Sequence, residues 1–193
     1  MHSVEHPHEY SSLKWIDINS EKIEGKLIRT ILPDFKILNF NKNDNSPERI
    51  NNISDEIILY SFFSEWCLNC HYDVNTIKKL SSIYNRKELI IVLTMDYSHR
   101  NLSTLFIKEY GLNIPFTFGE LDEKNEQKRN ATQLYQLRKT LDDEREWGTP
   151  FHILMKNASK NIVGIIMGEI IESELIPYLN EVLSTGWSIS NKT

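Results

Sequence analysis

The chain has two cysteines, and they lie three positions apart in the segment Trp66-Cys67-Leu68-Asn69-Cys70. Cysteines at this spacing can form a disulfide with each other or bind a soft metal ion, because a thiolate is both a nucleophile and a metal ligand. Since the sequence has no other cysteine, no disulfide between distant segments can stabilise the fold. The pair therefore predicts a local chemical role.

The residues on either side of the cysteines predict a strand followed by a helix. Ile57–Phe63 is a nearly continuous apolar run, typical of a strand covered on both faces. After Cys67 the apolar residues recur at helical spacing, at Val74, Ile77, Leu80 and Tyr84. At such a junction the unpaired N–H groups and the dipole of the helix stabilise an anion. We therefore predict Cys67 as the attacking thiolate and Cys70, one turn into the helix, as the shielded resolving thiol.

Further strands and helices are predicted from the same periodicities. Residues 89–93 form a second buried strand, which makes a βαβ unit with the first. The other predicted elements are strands at 32–38, 116–118, 151–155 and 162–167, and helices at 102–110, 133–146 and 174–183. The inward residues expected for the first of these helices are Leu102, Leu105, Phe106 and Tyr110. This order predicts an α/β fold in which a central mixed sheet is flanked by helices.

Length and composition predict a single folded domain. The chain has 193 residues, 40% of them hydrophobic, which is enough for one full core and short for two. The first residues are polar and lack sustained periodicity, as is common for chain termini. We expect an N-terminal tail at residues 1–25, one folded domain at 26–185 and a C-terminal tail at 186–193.

Charge and hydropathy exclude some partners and leave the cellular location open. A net charge of -5 at pH 7 provides no basic surface for phosphate groups, so nucleic acid is not expected as a partner. No stretch approaches the roughly 18 consecutive apolar residues that span a bilayer. The first residues also lack the cationic and apolar regions of a secretory signal. Either the chain is cytoplasmic, or it is extracytoplasmic and its signal or anchor has been removed.

Two segments together resemble a known family. Ser64-Glu65-Trp66-Cys67-Leu68-Asn69-Cys70 follows an apolar strand, and Gly148-Thr149-Pro150 precedes the strand Phe151-His152-Ile153-Leu154. This combination resembles the thioredoxin superfamily and, within it, the TlpA/ResA-like bacterial thiol-disulfide oxidoreductases, over about residues 32–183. The resemblance implies a thioredoxin-like fold with a helical insertion before the strand that follows Pro150.

The resemblance also implies roles for individual residues. It implies a cis peptide bond at Thr149–Pro150, packed beside the cysteines, and an X-Pro bond is where a cis isomer costs least. The backbone of Thr149, together with Pro150 and Trp66, is then expected to bind an extended substrate segment. Asp73 matches an acidic residue that handles the proton of the buried cysteine in ResA-like proteins. The alternative for Asp73 is a carboxylate near a helix N-terminus that complements the helix dipole.

The sequence also departs from thioredoxins proper. Ser61 stands where they have a buried aspartate, Leu68-Asn69 replaces Gly-Pro, and Asn75 replaces a proline of the active-site helix. These differences argue against a general cytosolic thioredoxin. His71 adjoins Cys70 and is expected to face solvent, as a histidine on an exposed helix surface does.

We expect the chain to exchange a Cys67–Cys70 dithiol or disulfide with protein substrates, as a monomeric reductase in the periplasm or another extracytoplasmic compartment. A membrane-bound or soluble thiol reductant would return the pair to its dithiol form, and no cofactor or resident metal is expected beyond the Cys67–Cys70 disulfide. One alternative is a disulfide oxidase or isomerase. Another is a module that holds copper or zinc between the two thiolates.

Overall fold

The computed structural model describes residues 8–17, 36–37, 48–49, 57–156 and 162–185. The strands are β1 (Tyr10–Ser11), β2 (Lys14–Asp17), β3 (Lys36–Ile37), β4 (Glu48–Arg49), β5 (Ile57–Phe63), β6 (Leu89–Met95), β7 (Phe116–Phe118), β8 (Phe151–Lys156), β9 (Ile162–Ile166) and β10 (Glu169–Ile170). The helices are α1 (Leu68–Ile83), α2 (Arg100–Glu109), α3 (Glu126–Arg129), α4 (Gln133–Thr140) and α5 (Glu172–Thr185).

Six strands form a mixed sheet in the order β2-β9-β8-β5-β6-β7. The pairs β5–β6 and β6–β7 are parallel, and β5–β8, β8–β9 and β9–β2 are antiparallel. The central strand β5 is buried along its whole length, as its continuous apolar run predicts. The predicted α/β class, with a central mixed sheet flanked by helices, is confirmed.

The two faces of the sheet carry separate cores. Alternate residues of β5 point to opposite faces, so Leu59 and Phe63 join one core while Ile58 and Phe62 join the other. Apolar residues of α1, α2 and α5 fill the first core, and those of α4 fill the second. Helix α1 is thus held under the sheet by its buried residues Val74, Ile77 and Leu80, and this fixes its first turn at the end of β5.

The N-terminal tail predicted for residues 1–25 is wrong for the part that the structure describes. Lys14–Asp17 is an edge strand antiparallel to β9, with Ile16 buried, and Tyr10–Ser11 pairs in parallel with β10. Both strands are too short and polar to show period-two patterning, and long-range pairing forms them. Residues 18–25 and the C-terminal tail predicted at 186–193 lie outside the described residues.

Three other predicted elements differ in extent or orientation. Of the predicted strand 32–38, only Lys36–Ile37 is described, and it pairs with Glu48–Arg49. The helix predicted for 133–146 ends at Thr140. Of the inward residues predicted for α2, Phe106 is buried and Tyr110 packs against the core, as expected. Leu102 and Leu105 are instead 43% and 50% exposed, while Ser103 and Ile107 are buried, so this half of the prediction is wrong. None of the described helices is both long enough and apolar enough to cross a bilayer.

Candidate active site

Cys67 is the N-cap residue of α1, at the point where β5 turns into the helix. Its backbone is extended, and its sulfur accepts a hydrogen bond from the Cys70 backbone N–H at 3.3 Å. The thiol of Cys67 therefore lies where the N–H groups and dipole of α1 favour negative charge. This is the placement that the sequence predicted.

The two thiols have opposite acidities. A hydrogen bond from the Cys70 side chain lowers the pKa of Cys67, and hydrogen bonds from Thr149 and the Cys70 backbone add to this against the effect of burial. Burial raises the pKa of Cys70 well above its usual value, and the neighbouring Cys67 raises it further. Both cysteines are free thiols, and Cys70 is fully buried while Cys67 is 7% exposed. Cys67 is thus the thiol that ionises more readily and that a substrate disulfide can reach.

The loop before β8 lies directly against Cys67. The Thr149–Pro150 peptide bond is cis, and the Cys67 thiol donates to the Thr149 carbonyl at 3.2 Å. The Thr149 hydroxyl is 3.3 Å from the Ser64 hydroxyl, which ties the loop to the end of β5. In the dithiol form the Thr149 carbonyl thus already accepts from the Cys67 thiol, and its binding of a substrate segment stays a prediction.

Two arginines hold the shape of this loop. Arg138 is fully buried and donates to the carbonyls of Trp147 (2.9 Å) and Arg145. Arg145 donates to the carbonyls of Gly148 at 3.1 Å and Pro150 at 3.0 Å. The guanidinium groups thus satisfy four carbonyls around the cis bond, and buried carbonyls need such partners.

Asp143 supplies the negative charge that both arginines need. Its carboxylate accepts from Arg138 and Arg145, each at 2.8 Å, and is 4% exposed. Burial alone would raise the pKa of Asp143, but the hydrogen bonds from Arg145 and Arg138 outweigh it and lower the pKa. Asp143 therefore stabilises the fold as a carboxylate at pH above about 3.9, and this stabilisation is lost as the pH falls through its lowered pKa.

Trp66 forms an aromatic surface next to Cys67. Its indole N–H donates to the Tyr97 carbonyl at 2.7 Å, and its ring packs edge-to-face on Trp147 at 5.3 Å. The Lys124 ammonium lies 3.8 Å from the centre of the Trp66 ring, within the range of cation–π attraction. Trp66 and Trp147 are both half-buried. The indole of Trp66 is therefore fixed in place while part of it is exposed beside the thiol.

Asp73 lies one turn after Cys70 on α1 and is 2% exposed. One carboxylate oxygen accepts from the Ile170 N–H at 3.0 Å, and the other lies 2.9 Å from His152 Nε2. Its position beyond the first helical turn, together with its burial, disfavours the alternative that it only complements the helix dipole. The structure therefore places a buried carboxylate one helical turn from the buried thiol.

His152 is a site residue that the sequence analysis missed. It is fully buried on β8 next to Ser61 of β5, whose hydroxyl lies 2.9 Å from its Nδ1. A histidine inside the apolar strand that follows Pro150 was the available signal. Its partner Asp73 is 79 positions away in the sequence, so only the fold could show the contact.

The prediction that His71 faces solvent is wrong. It is half-buried, with Nδ1 2.6 Å from the Tyr110 hydroxyl and Nε2 2.6 Å from the Glu65 carbonyl. Its ring also packs edge-on against Phe106 at 5.0 Å. His71 therefore ties the turn before Cys67 to α2.

Another buried carboxylate, Glu169, contacts Asn69, one of the two residues between the cysteines. It accepts from the side-chain amide of Asn69 at 3.0 Å and from the backbone N–H of Glu9 at 2.7 Å. Its other oxygen is 2.6 Å from His8 Nδ1. The segment around β1 is thereby attached beside the first turn of α1. Within the described ranges, no three His, Cys, Asp or Glu side chains are grouped so as to hold a metal ion.

Comparison with known proteins gives matches only among solved structures, since no family model and no curated protein matches the chain. A thiol-disulfide isomerase from Corynebacterium glutamicum has a TM-score of 0.55 and 18% identity, over 79% of this chain and 94% of that one. A DsbF homologue from Corynebacterium diphtheriae has a TM-score of 0.55 and 14% identity, over 94% and 97%. StoA from Bacillus subtilis has a TM-score of 0.50 and 13% identity, over 76% and 96%.

At these identities the similarity concerns the fold. The strand order, the helix that begins after Cys67 and the loop that brings Pro150 to the cysteines agree with the fold that the resemblance implied. The chain has a thioredoxin-like fold.

Proposed function

We propose that this chain is a thiol-disulfide oxidoreductase that exchanges the Cys67–Cys70 dithiol for a disulfide with protein substrates. The observation that carries the proposal is the unequal pair of thiols: Cys67 caps α1 with a lowered pKa, and Cys70 lies fully buried behind it with a raised pKa. Nucleophilic attack on a disulfide needs a thiolate, and resolution needs a second thiol close to the first. The similarity of the fold to a thiol-disulfide isomerase supports the same class of activity.

The reaction is a two-step transfer of two electrons. The Cys67 thiolate attacks one sulfur of the substrate disulfide, releases the other as a thiolate and forms a mixed disulfide. The Cys70 thiol then loses its proton and attacks the Cys67 sulfur, so that a bond forms between the two protein sulfurs and the bond to the substrate breaks. The substrate is reduced to two thiols and the cysteine pair is oxidised. We assign Asp73 to the proton of Cys70, since they lie one helical turn apart.

The substrate segment lies along Thr149, Pro150 and Trp66 in this proposal. When Cys67 ionises, its thiol no longer donates to the Thr149 carbonyl, and that carbonyl becomes available to an N–H group of an extended substrate. Pairing through the backbone makes binding tolerant of different substrate sequences. The exposed part of the Trp66 ring offers apolar contact next to the scissile disulfide.

The proposed setting is periplasmic or otherwise extracytoplasmic, with the chain acting as a monomeric reductase. The resemblance of the cysteine and proline segments to TlpA/ResA-like proteins supports this direction and place. A membrane-bound or soluble thiol reductant returns the pair to the dithiol, and the reaction needs no cofactor besides the Cys67–Cys70 disulfide. The direction depends on the reduction potential of the pair relative to its partner, so oxidation or isomerisation of substrates is the alternative outcome.

Insulin reduction with dithiothreitol as the electron donor tests the activity. We expect the wild-type protein to accelerate the reaction and Cys67→Ser to abolish the acceleration, whereas the exposed control Ser81→Ala has no effect. Cys70→Ser should accumulate a mixed disulfide at Cys67, because the second thiol is missing. Mass spectrometry after alkylation should find neither thiol of the oxidised wild-type protein alkylated, because both are in the Cys67–Cys70 disulfide.

Metal analysis of the reduced protein separates this function from the copper or zinc module. Stoichiometric metal that is lost in both cysteine variants, together with no insulin reduction by the wild-type protein, would contradict the proposal. Preferential alkylation of Cys70 over Cys67 at neutral pH would reverse the roles of the two thiols.

A further inference from the structure

Ser61, Asp73 and His152 form a buried polar group inside the apolar core beneath α1. They come from three different elements, β5, α1 and β8, and each is at most 2% exposed. Ser61 and His152 are register partners in the sheet, and Phe63 packs edge-on against the His152 ring at 5.9 Å. Burying an ionisable pair costs free energy that an apolar pair of similar volume would not. The group therefore calls for a function beyond packing.

The contact between Asp73 and His152 is incomplete as a hydrogen bond. Asp73 Oδ2 and His152 Nε2 are 2.9 Å apart, yet they are out of line for a hydrogen bond, and neither atom has another partner among the described residues. The other oxygen of Asp73 and the other nitrogen of His152 are both held, by the Ile170 N–H and the Ser61 hydroxyl. Each side chain is thus fixed at one atom, and the remaining atoms, Asp73 Oδ2 and His152 Nε2, face each other and can share a proton.

The Ser61 hydroxyl lets the ring change its protonation state without losing a partner. A hydroxyl can donate to Nδ1 when the ring is neutral, and it can rotate to accept from Nδ1–H when the ring is charged. An aspartate at this position, as in thioredoxins proper, would add a second negative charge beside Asp73. Ser61 instead leaves one carboxylate and one imidazole, which together can accept one proton and become neutral as a pair.

We propose that His152 and Asp73 act as one buried acid–base pair that takes the proton of Cys70 when Cys70 attacks the mixed disulfide. This rests on the proposed function and adds His152 as the residue that positions Asp73 and shares its proton. The Cys70 S–H bond breaks and its proton passes to Asp73, the Cys70–Cys67 bond forms, and the bond from Cys67 to the substrate sulfur breaks. The departing thiolate takes up the proton from the pair, so charge and electrons balance.

Three titratable groups of the described residues lie on the elements that hold Asp73, close to it. Cys70 is one helical turn before Asp73 on α1 and Cys67 caps that helix, while Glu169 lies on β10 next to Ile170, where Asn69, His8 and the Glu9 N–H hold its carboxylate. The pH dependence of the second step therefore reports mainly on the two thiols, the Asp73–His152 pair and this anchored carboxylate.

Single-turnover reaction with 5,5′-dithiobis(2-nitrobenzoate) separates the two steps, because each releases one coloured thiolate. The first release reports attack by Cys67, and the second reports attack by Cys70. We expect His152→Gln to leave the first release unchanged and to slow the second about 100-fold or more at pH 7, which is within the usual contribution of acid–base catalysis. The deficit should shrink as the pH rises, because hydroxide then replaces the missing base.

Matched variants make the test specific. His99→Gln changes an exposed histidine and should affect neither release. Asp73→Asn should slow the second release as His152→Gln does, and the double variant should be no slower than Asp73→Asn alone. Ser61→Ala keeps the ring and should slow only the second release, by a smaller factor, so it serves if His152→Gln does not fold.

Two results would overturn the assignment. If His152→Gln, or Ser61→Ala where the former is unfolded, retains the wild-type second release and its pH profile, His152 has only a structural role while the oxidoreductase function stands. If the wild-type protein itself gives no second release, the proposed function fails and this assignment fails with it.

Discussion

Two buried carboxylates, Asp73 on α1 and Asp143 beside the Pro150 loop, have opposite surroundings. Asp143 forms ion pairs with two guanidinium groups and cannot accept a proton without losing those ion pairs. Asp73 has one backbone N–H and one imidazole nitrogen that is not aligned for a hydrogen bond. The two carboxylates therefore have different roles. Asp143 with its two arginines, here called the Asp143 side, holds the shape of the loop at Pro150. Asp73 with His152, the Asp73 side, is able to exchange a proton.

The largest expected effect concerns the Asp143 side. Arg138→Gln removes a fully buried guanidinium, leaves the Trp147 and Arg145 carbonyls short of a donor and weakens the neutralisation of Asp143. We expect a loss of about 3–5 kcal/mol in the free energy of unfolding, measured by urea denaturation at pH 7. The exposed control Arg86→Gln should lose no more than about 0.5 kcal/mol. Equal losses in the two variants would remove the distinction between the two sides.

Asp96 provides an intermediate case, a buried carboxylate held by N–H groups. It follows β6, is 1% exposed, and accepts from the N–H groups of Tyr97 at 2.8 Å and Leu121 at 3.1 Å. Burial raises the pKa of Asp96 to about 6, although these hydrogen bonds oppose the rise. The unfolded value is about 3.9, so the folded state binds the proton more tightly and loses stability as the pH rises through about 6.

Asp96→Asn should remove this pH dependence, since the amide oxygen can still accept from both N–H groups. We expect the variant and the wild-type protein to be equally stable near pH 4 and the variant to be more stable at pH 8, by about 2–3 kcal/mol. Urea denaturation at the two pH values measures the difference. The exposed Asp122→Asn is the control. A variant less stable than the wild-type protein at pH 8 would contradict the assignment of Asp96 as a destabilising charge.

The smallest effect is expected at the exposed edge of the Asp143 side, where Lys124 lies over Trp66. Lys124→Ala should cost about 0.5–1 kcal/mol of stability, the usual size of an exposed cation–π contact, and should alter tryptophan fluorescence. The exposed control Lys87→Ala should change neither. A loss above about 2 kcal/mol would mean that the surface around Trp66 is structural rather than a rim available to substrate.

The sequence was sufficient for the features that depend on neighbours along the chain. The continuous apolar run of β5, the helical period after Cys67 and the three-residue spacing of the cysteines together placed the thiols at a helix N-terminus and ranked them correctly by burial. These predictions rest on local geometry, which a strand-to-helix junction fixes within a few residues.

The features that were missed depend on contacts between distant segments. His152 meets Asp73 only because β8 pairs with β5 beside α1, and β2 joins the sheet only because β9 offers it an edge. Arg138 lies in a helix whose apolar spacing predicted a core face, but no pattern reveals a buried cation among those apolar residues. Its acceptors are Asp143, Arg145 and Trp147, which follow the end of α4. The first two lie in the stretch 141–146 that was predicted to continue the helix.

The close fit between Gly148 and Arg138 has a consequence for how sequences with this loop can diverge. Gly148 has a φ of +66°, and a Cβ atom there would lie 1.7 Å from the Arg138 Cζ atom. A larger residue at position 148 is therefore acceptable only after the guanidinium has gone, and loss of the guanidinium removes the donor to two carbonyls of the loop. Across related chains, an arginine at position 138 should therefore coincide with a glycine at position 148.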